Sequence, residues 1–276
     1  MEKIFRIKNS FGIDIDHTFD CGQCFRFDKV EGSAYDVEYR GVAYGKAISF
    51  AQKDGELYIV GADELDFESL WRHYLSLDED YGTIHAGLLS LSDNRALRRA
   101  VDHGRGIRIL RQEPWEAICS FIISQNNNIP RIKGLIRALS EKAGAPLGDG
   151  NYAFPSAEAV LALGVDGLRE LKMGFRAPYI IDAAQKVVSG ELDISAVAAL
   201  PTKEAEKALC TVKGIGPKVA DCALLFGFSK YDAFPIDVWI KRVIEKYFDA
   251  SFDPASLGEY AGIAQQVLFY YERYTQ

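Results

Sequence analysis

The 276-residue sequence is poor in sulfur, with five cysteines and two methionines. An odd cysteine count, with no signal-like apolar stretch after Met1, does not suit a disulfide framework and points to the reducing cytoplasm. No apolar run approaches the ~18 residues needed to span a bilayer, so no membrane partner is expected. Cys21 and Cys24 form a C-x2-C, but no second Cys or Cys/His pair stands at zinc spacing. The four histidines, His17, His73, His85 and His103, are scattered and make no ligand cluster. The tail from Tyr260 to Gln276 has no cysteine to hold an iron–sulfur cluster, and no Gly-rich nucleotide loop occurs. Neither a metal nor an organic cofactor is expected. Fixed-period repeats, low-complexity tracts and long linkers are also missing.

Net positive charge is missing too: the chain carries a formal −7. The deficit is uneven. Residues 1 to 94 hold 9 Lys+Arg against 18 Asp+Glu, and residues 143 to 276 hold 13 against 17. Between them, residues 95 to 142 hold 10 against 4, including Arg95, Arg98, Arg99, Arg131 and Arg137. Affinity for a polyanion depends on local basic surface rather than on the total, so nucleic acid stays open as a partner, beside the plainer reading of solvated helix faces.

What is present divides the chain by periodicity. From about Asp28 to Val60 apolar residues alternate, with Tyr35, Val37 and Tyr39, then Ile48 and Phe50, then Leu57 and Ile59. Gly32, Gly41, Gly45 and Asp54-Gly55 separate them, which predicts antiparallel strands with tight turns. Beyond Asp66 the spacing is helical, and nearly everything after about residue 110 reads as helix, cut by breaks at Gly144 to Gly150, Gly190, Pro201, Gly214 to Pro217 and Pro235. The expected fold class is α+β: a small antiparallel β-rich domain (1–108) packed on a larger all-helical domain (109–276).

The segment Val212-Lys213-Gly214-Ile215-Gly216-Pro217-Lys218 ends one helix, turns on two glycines and starts another. Pro217 suits the first helical position, where its missing N–H is no loss. The free N–H groups of Gly214, Gly216 and the new helix suit a DNA phosphate. Lys218 lies in that first turn, where the dipole disfavours a cation unless it has another use. It is either a nucleophile or a second phosphate contact. Asp237, nineteen residues on, reads as the N-cap of the following helix, a fixed position from which a carboxylate could also stabilise a developing cation. A non-enzymatic phosphate-binding hairpin would use the glycines and Lys218 alone.

A helix-hairpin-helix followed by a Gly/Pro-rich turn and an aspartate resembles the DNA glycosylase superfamily named for those features. Four further segments resemble the 8-oxoguanine DNA glycosylase family in particular: Cys21-Gly22-Gln23-Cys24-Phe25-Arg26, Gln125-Asn126-Asn127-Asn128-Ile129-Pro130-Arg131, Gly174-Phe175-Arg176-Ala177-Pro178-Tyr179, and Tyr260 to Phe269. They occur in family order along almost the whole chain. A glycosylase of the same superfamily aimed at another base fits the Gly22 segment and the β-rich start less well.

The resemblance implies a monomeric enzyme acting on double-stranded DNA that contains a damaged guanine. Such an enzyme takes the base out of the stack. Asn126 would fill the gap, Arg131 and Arg176 would bond the orphaned cytosine, and Phe175 would wedge beside the opposite strand. The flipped base would stack between Phe269 and Cys222, Gln265 would bond its Watson–Crick edge, and the Gly22 carbonyl would accept the N7–H that guanine lacks. Lys218 would attack the sugar while Asp237 stabilises the cation. Two positions depart from the family pattern: Trp239 stands where eukaryotic members commonly have histidine, and Phe175 where tyrosine is frequent.

Overall fold

The computed structural model describes residues 3 to 275. Its sheet is antiparallel, five-stranded, and ordered β1-β5-β4-β3-β2, with β1 Ile4–Lys8, β2 Phe27–Lys29, β3 Val37–Ala43, β4 Lys46–Lys53 and β5 Glu56–Val60. The expected turns are where the sequence puts them. Tyr44 and Gly45 have φ of 51° and 63°, and Asp54 and Gly55 have 52° and 76°, the paired positive φ of type I′ hairpin turns whose twist matches the flanking strands.

Three details of the sheet differ from the sequence reading. Tyr35 precedes β3 rather than belonging to it, because its backbone N–H donates to Ser33 Oγ at 3.1 Å in a turn. Gly41 is no separator: it lies inside β3, where a Cβ would stand 2.2 Å from the Arg26 carbonyl, so only glycine lets that loop approach. β1 was not anticipated. It is five residues with charges at alternate places, and it gains strand character by pairing with β5, Ile4 opposite Val60.

The inner face of the sheet carries an aromatic core. Phe50 is fully buried and stacks on Phe19 at 5.5 Å and on Tyr74 at 5.7 Å, with Trp71 edge-on at 5.5 Å. Such pairs contribute beyond the area they bury. A second apolar core, from Tyr81 to Leu268, lies among the helices. One departure occurs there. The break at Gly144 to Gly150 contains β6 Pro146–Gly148, paired with β7 Asn151–Tyr152, so a small hairpin interrupts the helical half.

Two helices hold the site from behind. In Pro114–Ser124 every side chain from Glu116 to Ile123 is buried, and it packs on Pro217–Gly227 so closely that a Cβ on Gly227 would meet Ala117 at 2.6 Å. The first ends at the loop carrying Asn126; the second begins at Lys218. A buried ion pair ties this frame to the sheet side, Arg26 Nη1 standing 3.3 Å from Glu116 Oε2. Burial dominates there and pushes the Glu116 carboxyl up to about 7 despite the arginine.

Candidate active site

The hairpin forms as its residues dictate. Helix Thr202–Leu209 ends before Cys210, and helix Pro217–Gly227 opens with Gly216 as N-cap and Pro217 in its first turn. Gly214 has φ 80°, and a Cβ there would lie 2.2 Å from the Tyr179 ring, whereas one on Gly216 would meet nothing within 4 Å. Gly214 therefore serves packing as well as turning. Gly214→Ala should destabilise by about 2–4 kcal/mol, with a Tm loss of roughly 5–15 °C. Gly216→Ala should leave Tm within about 2 °C, and if the turn's N–H groups meet phosphate, as the sequence suggests, it should weaken duplex binding by crowding them. Similar thermal melts for the two variants would contradict this division.

Lys218, half-buried, opens into a cavity of about 330 Å³ lined also by Asp237, Cys222, Gln265, Phe269 and Gly22. The cavity thus joins residues nearly 250 positions apart in sequence and all six that the sequence assigns to catalysis and base binding. Asp237 caps helix Val238–Tyr247, and one oxygen does all of it: Oδ1 accepts from Trp239 N at 3.0 Å and Ile240 N at 2.8 Å. Oδ2 makes no hydrogen bond among the described residues and remains available. Burial pushes the Cys222 thiol up to about 11, the Lys218 charge opposing and the Asp237 charge reinforcing the shift. It is a neutral wall at physiological pH.

Gln265 is 5% exposed, and its Oε1 has no hydrogen-bond partner. A buried acceptor left unmade is costly. Gln265 also lines the cavity, so this uncommitted amide sits in its wall. Gly22 stands opposite with φ 79°, and a Cβ there would touch Phe269 at 3.7 Å.

None of the residues assigned to DNA lines this cavity itself, but Asn126 adjoins Asn127 and Asn128, which do. Asn126 is exposed with φ 47°, just past the end of Pro114–Ser124. Asn128 caps the next helix by accepting from Arg131 N at 3.0 Å, leaving the Arg131 side chain exposed. Phe175 is 48% exposed, the conspicuous apolar side chain of a short 3-10 turn, Gly174–Arg176. Arg176 differs from expectation. It is 2% exposed and donates from Nε to the Gln125 carbonyl at 3.0 Å and from Nη2 to the Asn126 carbonyl at 3.0 Å. Burial and the neighbouring Arg131 charge push its guanidinium down. Its Nε and Nη2 thus brace the loop of Gln125 and Asn126, while Nη1 makes no hydrogen bond among the described residues.

Sequence comparison now bears on this geometry. Residues 5–118 match the family model described as 8-oxoguanine DNA glycosylase, N-terminal domain, and residues 119–256 match the HhH-GPD superfamily base excision DNA repair protein model. The N-glycosylase/DNA lyase of Arabidopsis thaliana is 30% identical over 295 residues, covering 91% of this chain and 75% of that protein. The chain belongs to the 8-oxoguanine DNA glycosylase family. Membership places it among the DNA glycosylases with abasic-site lyase activity, enzymes of base excision repair. A probable N-glycosylase/DNA lyase of Methanothermobacter thermautotrophicus is 31% identical over 193 residues, 61% of this chain and 62% of that one. Among solved structures, the Clostridium acetobutylicum 8-oxoguanine glycosylase/lyase, bound to duplex DNA with cytosine opposite 8-oxoguanine, is 35% identical at TM-score 0.89, covering 100% of this chain and 98% of that chain.

Within this glycosylase, two buried glutamines and a half-buried arginine escaped the sequence reading. Gln23 is fully buried; its Nε2 donates to the Thr18 and Arg108 carbonyls, each at 2.8 Å, and its Oε1 accepts from Leu110 N at 2.8 Å. Gln266 Nε2 donates to the Cys21 carbonyl at 2.9 Å. Together they clamp the peptides on either side of Gly22. Arg273 also lines the cavity and stands 5.9 Å from the centre of the Phe269 ring. A glutamine in sequence gives no sign of burial.

Proposed function

We propose that this glycosylase flips 8-oxoguanine out of duplex DNA, preferably opposite cytosine, excises it through a Lys218 Schiff base, and cleaves the strand by β-elimination. The observation that carries the reading is the uncommitted Gln265 amide, buried in one cavity with Lys218 and Asp237. An amide offers an acceptor and donors together, which matches the guanine edge, where O6 lies beside N1–H and the 2-amino group.

The lesion would slide between Phe269 and Cys222, and the Gly22 carbonyl would accept the N7–H of the oxidised base. Lys218 Nζ attacks C1′ as the N-glycosidic bond breaks and its electron pair leaves with the purine; Asp237 Oδ2 stabilises the cationic sugar meanwhile. The nitrogen loses a proton and the sugar ring opens to the imine. Removal of a C2′ proton, for which the excised purine is a candidate base, expels the 3′ phosphate. Asn126 would occupy the vacated stack, with Arg131 and Phe175 engaging the opposite strand and Arg176 bracing them.

The test is single-turnover base release from otherwise identical duplexes carrying 8-oxoguanine opposite cytosine, 8-oxoguanine opposite adenine, or ordinary guanine opposite cytosine. The first should react fastest and the last not measurably. Equal rates on the first two would remove the cytosine preference, and release of plain guanine would remove the substrate. Gly22→Ala adds a methyl at positive φ beside Phe269. It should slow 8-oxoguanine release by about 10–100-fold while slowing cleavage of a plain abasic site far less. Equal losses on both substrates would deny Gly22 a part in base recognition.

A further inference from the structure

We infer that a second cavity, separate from the base site, is a binding site for a small oxyanion. It has a volume of about 420 Å³ and lies between the loop at Phe11 and Gly12, helix Tyr81–Leu91 and the segment from Arg105 to Arg108. Its polar wall is made by Arg108, Arg105 and His85; Phe11, Leu89 and Val101 supply an apolar wall.

The uncancelled charge of Arg108 in the cavity wall points to a ligand. Arg108 is 4% exposed, and among the described residues it makes no ion pair. Its Nη1 donates to the Arg105 and Ile107 carbonyls at 3.2 and 3.0 Å, its Nη2 to the Phe11 carbonyl, and the guanidinium lies 4.3 Å from the Tyr81 ring centre. Carbonyls and a ring face satisfy donors without cancelling a full buried charge, and a buried cation ordinarily has a counter-ion. His85, 6% exposed, lines the same cavity, so its ring is placed to report what enters.

The one carboxylate acting on this group is Asp102, which is held at the surface by Arg105 at 2.9 Å. The wall is therefore cationic on balance, and an oxyanion would accept from the guanidinium N–H groups of Arg105 and Arg108 that the carbonyls and Asp102 leave free. The apolar side leaves room for a flat body behind the anionic head. The site adjoins the Gly22 clamp, since the Arg108 carbonyl accepts from Gln23, but none of its three polar residues takes part in the proposed chemistry.

The histidines make the test direct, because the chain has four and His85 is the one in this cavity. In ring-carbon-detected NMR of the intact protein, orthophosphate and benzoate are titrated separately against chloride at constant ionic strength and pH. The His85 resonance should move saturably with at least one of the two oxyanions while His17, His73 and His103 follow the chloride control. Arg105→Ala, at an exposed position, should weaken that response at least about tenfold. A larger response to benzoate assigns a role to the apolar wall, and one confined to phosphate assigns binding to the charged wall alone. A His85 signal unmoved by both, or moving in step with the other three, would overturn the site.

Discussion

Lys218→Gln is expected to lower single-turnover release of 8-oxoguanine by on the order of 10⁴-fold or more, as loss of a nucleophile does elsewhere, with duplex affinity changed only severalfold. The amine opens into the cavity that Asp237 also lines, and Lys218 is the one lysine there among the described residues. Of the other nucleophilic side chains lining the cavity, Cys222, its thiol pushed up to about 11, stays protonated at neutral pH, and the Ser124 hydroxyl donates to the Phe121 carbonyl. Glutamine keeps the length and polarity of the side chain and removes the charge and the attacking lone pair. Full excision activity in this variant, with DNA bound, would assign Lys218 to phosphate and leave the chemistry without its nucleophile.

Asp237 permits a cleaner separation of roles. Asparagine is as good an N-cap as aspartate, and its carbonyl oxygen can take over the bonds that Oδ1 makes to Trp239 N and Ile240 N. Asp237→Asn should therefore keep Tm within about 2 °C while base release falls by about 10²–10³-fold, the scale of losing one electrostatic contact to a transition state. Asp237→Ala should lose the same activity and also about 1 kcal/mol of stability, seen as a Tm drop of roughly 2–4 °C. Activity retained in the asparagine variant would mean the residue acts only as a cap.

The features legible in sequence were those written in local backbone chemistry. Asp54-Gly55 announces a type I′ turn, Gly216-Pro217 a helix start, and Asp237 a cap, because each answers a demand of its own few neighbours. β1 was hidden because its strand character comes from β5, more than fifty residues away, and Gly41 was misread because the need for glycine there comes from the Arg26 carbonyl of another segment. The site divides in the same way. The hairpin and its aspartate stand out alone, whereas Gly22, Gln265 and Phe269 are ordinary residues until a family pattern gathers them. Gln23 and Gln266 act through burial, which polar side chains do not advertise. Arg176 adds a role its sequence does not announce: Nε and Nη2 donate to the carbonyls of Gln125 and Asn126, a bracing that depends on burial.

The central claim, that Lys218 is the covalent nucleophile, is tested most directly by borohydride trapping on a duplex containing 8-oxoguanine opposite cytosine, with the adduct digested and its site mapped. The account predicts a reduced protein–DNA conjugate from the intact enzyme, joined at Lys218 and absent from Lys218→Gln. A conjugate joined at another amine, or base release and strand cleavage with no conjugate at all, would contradict it.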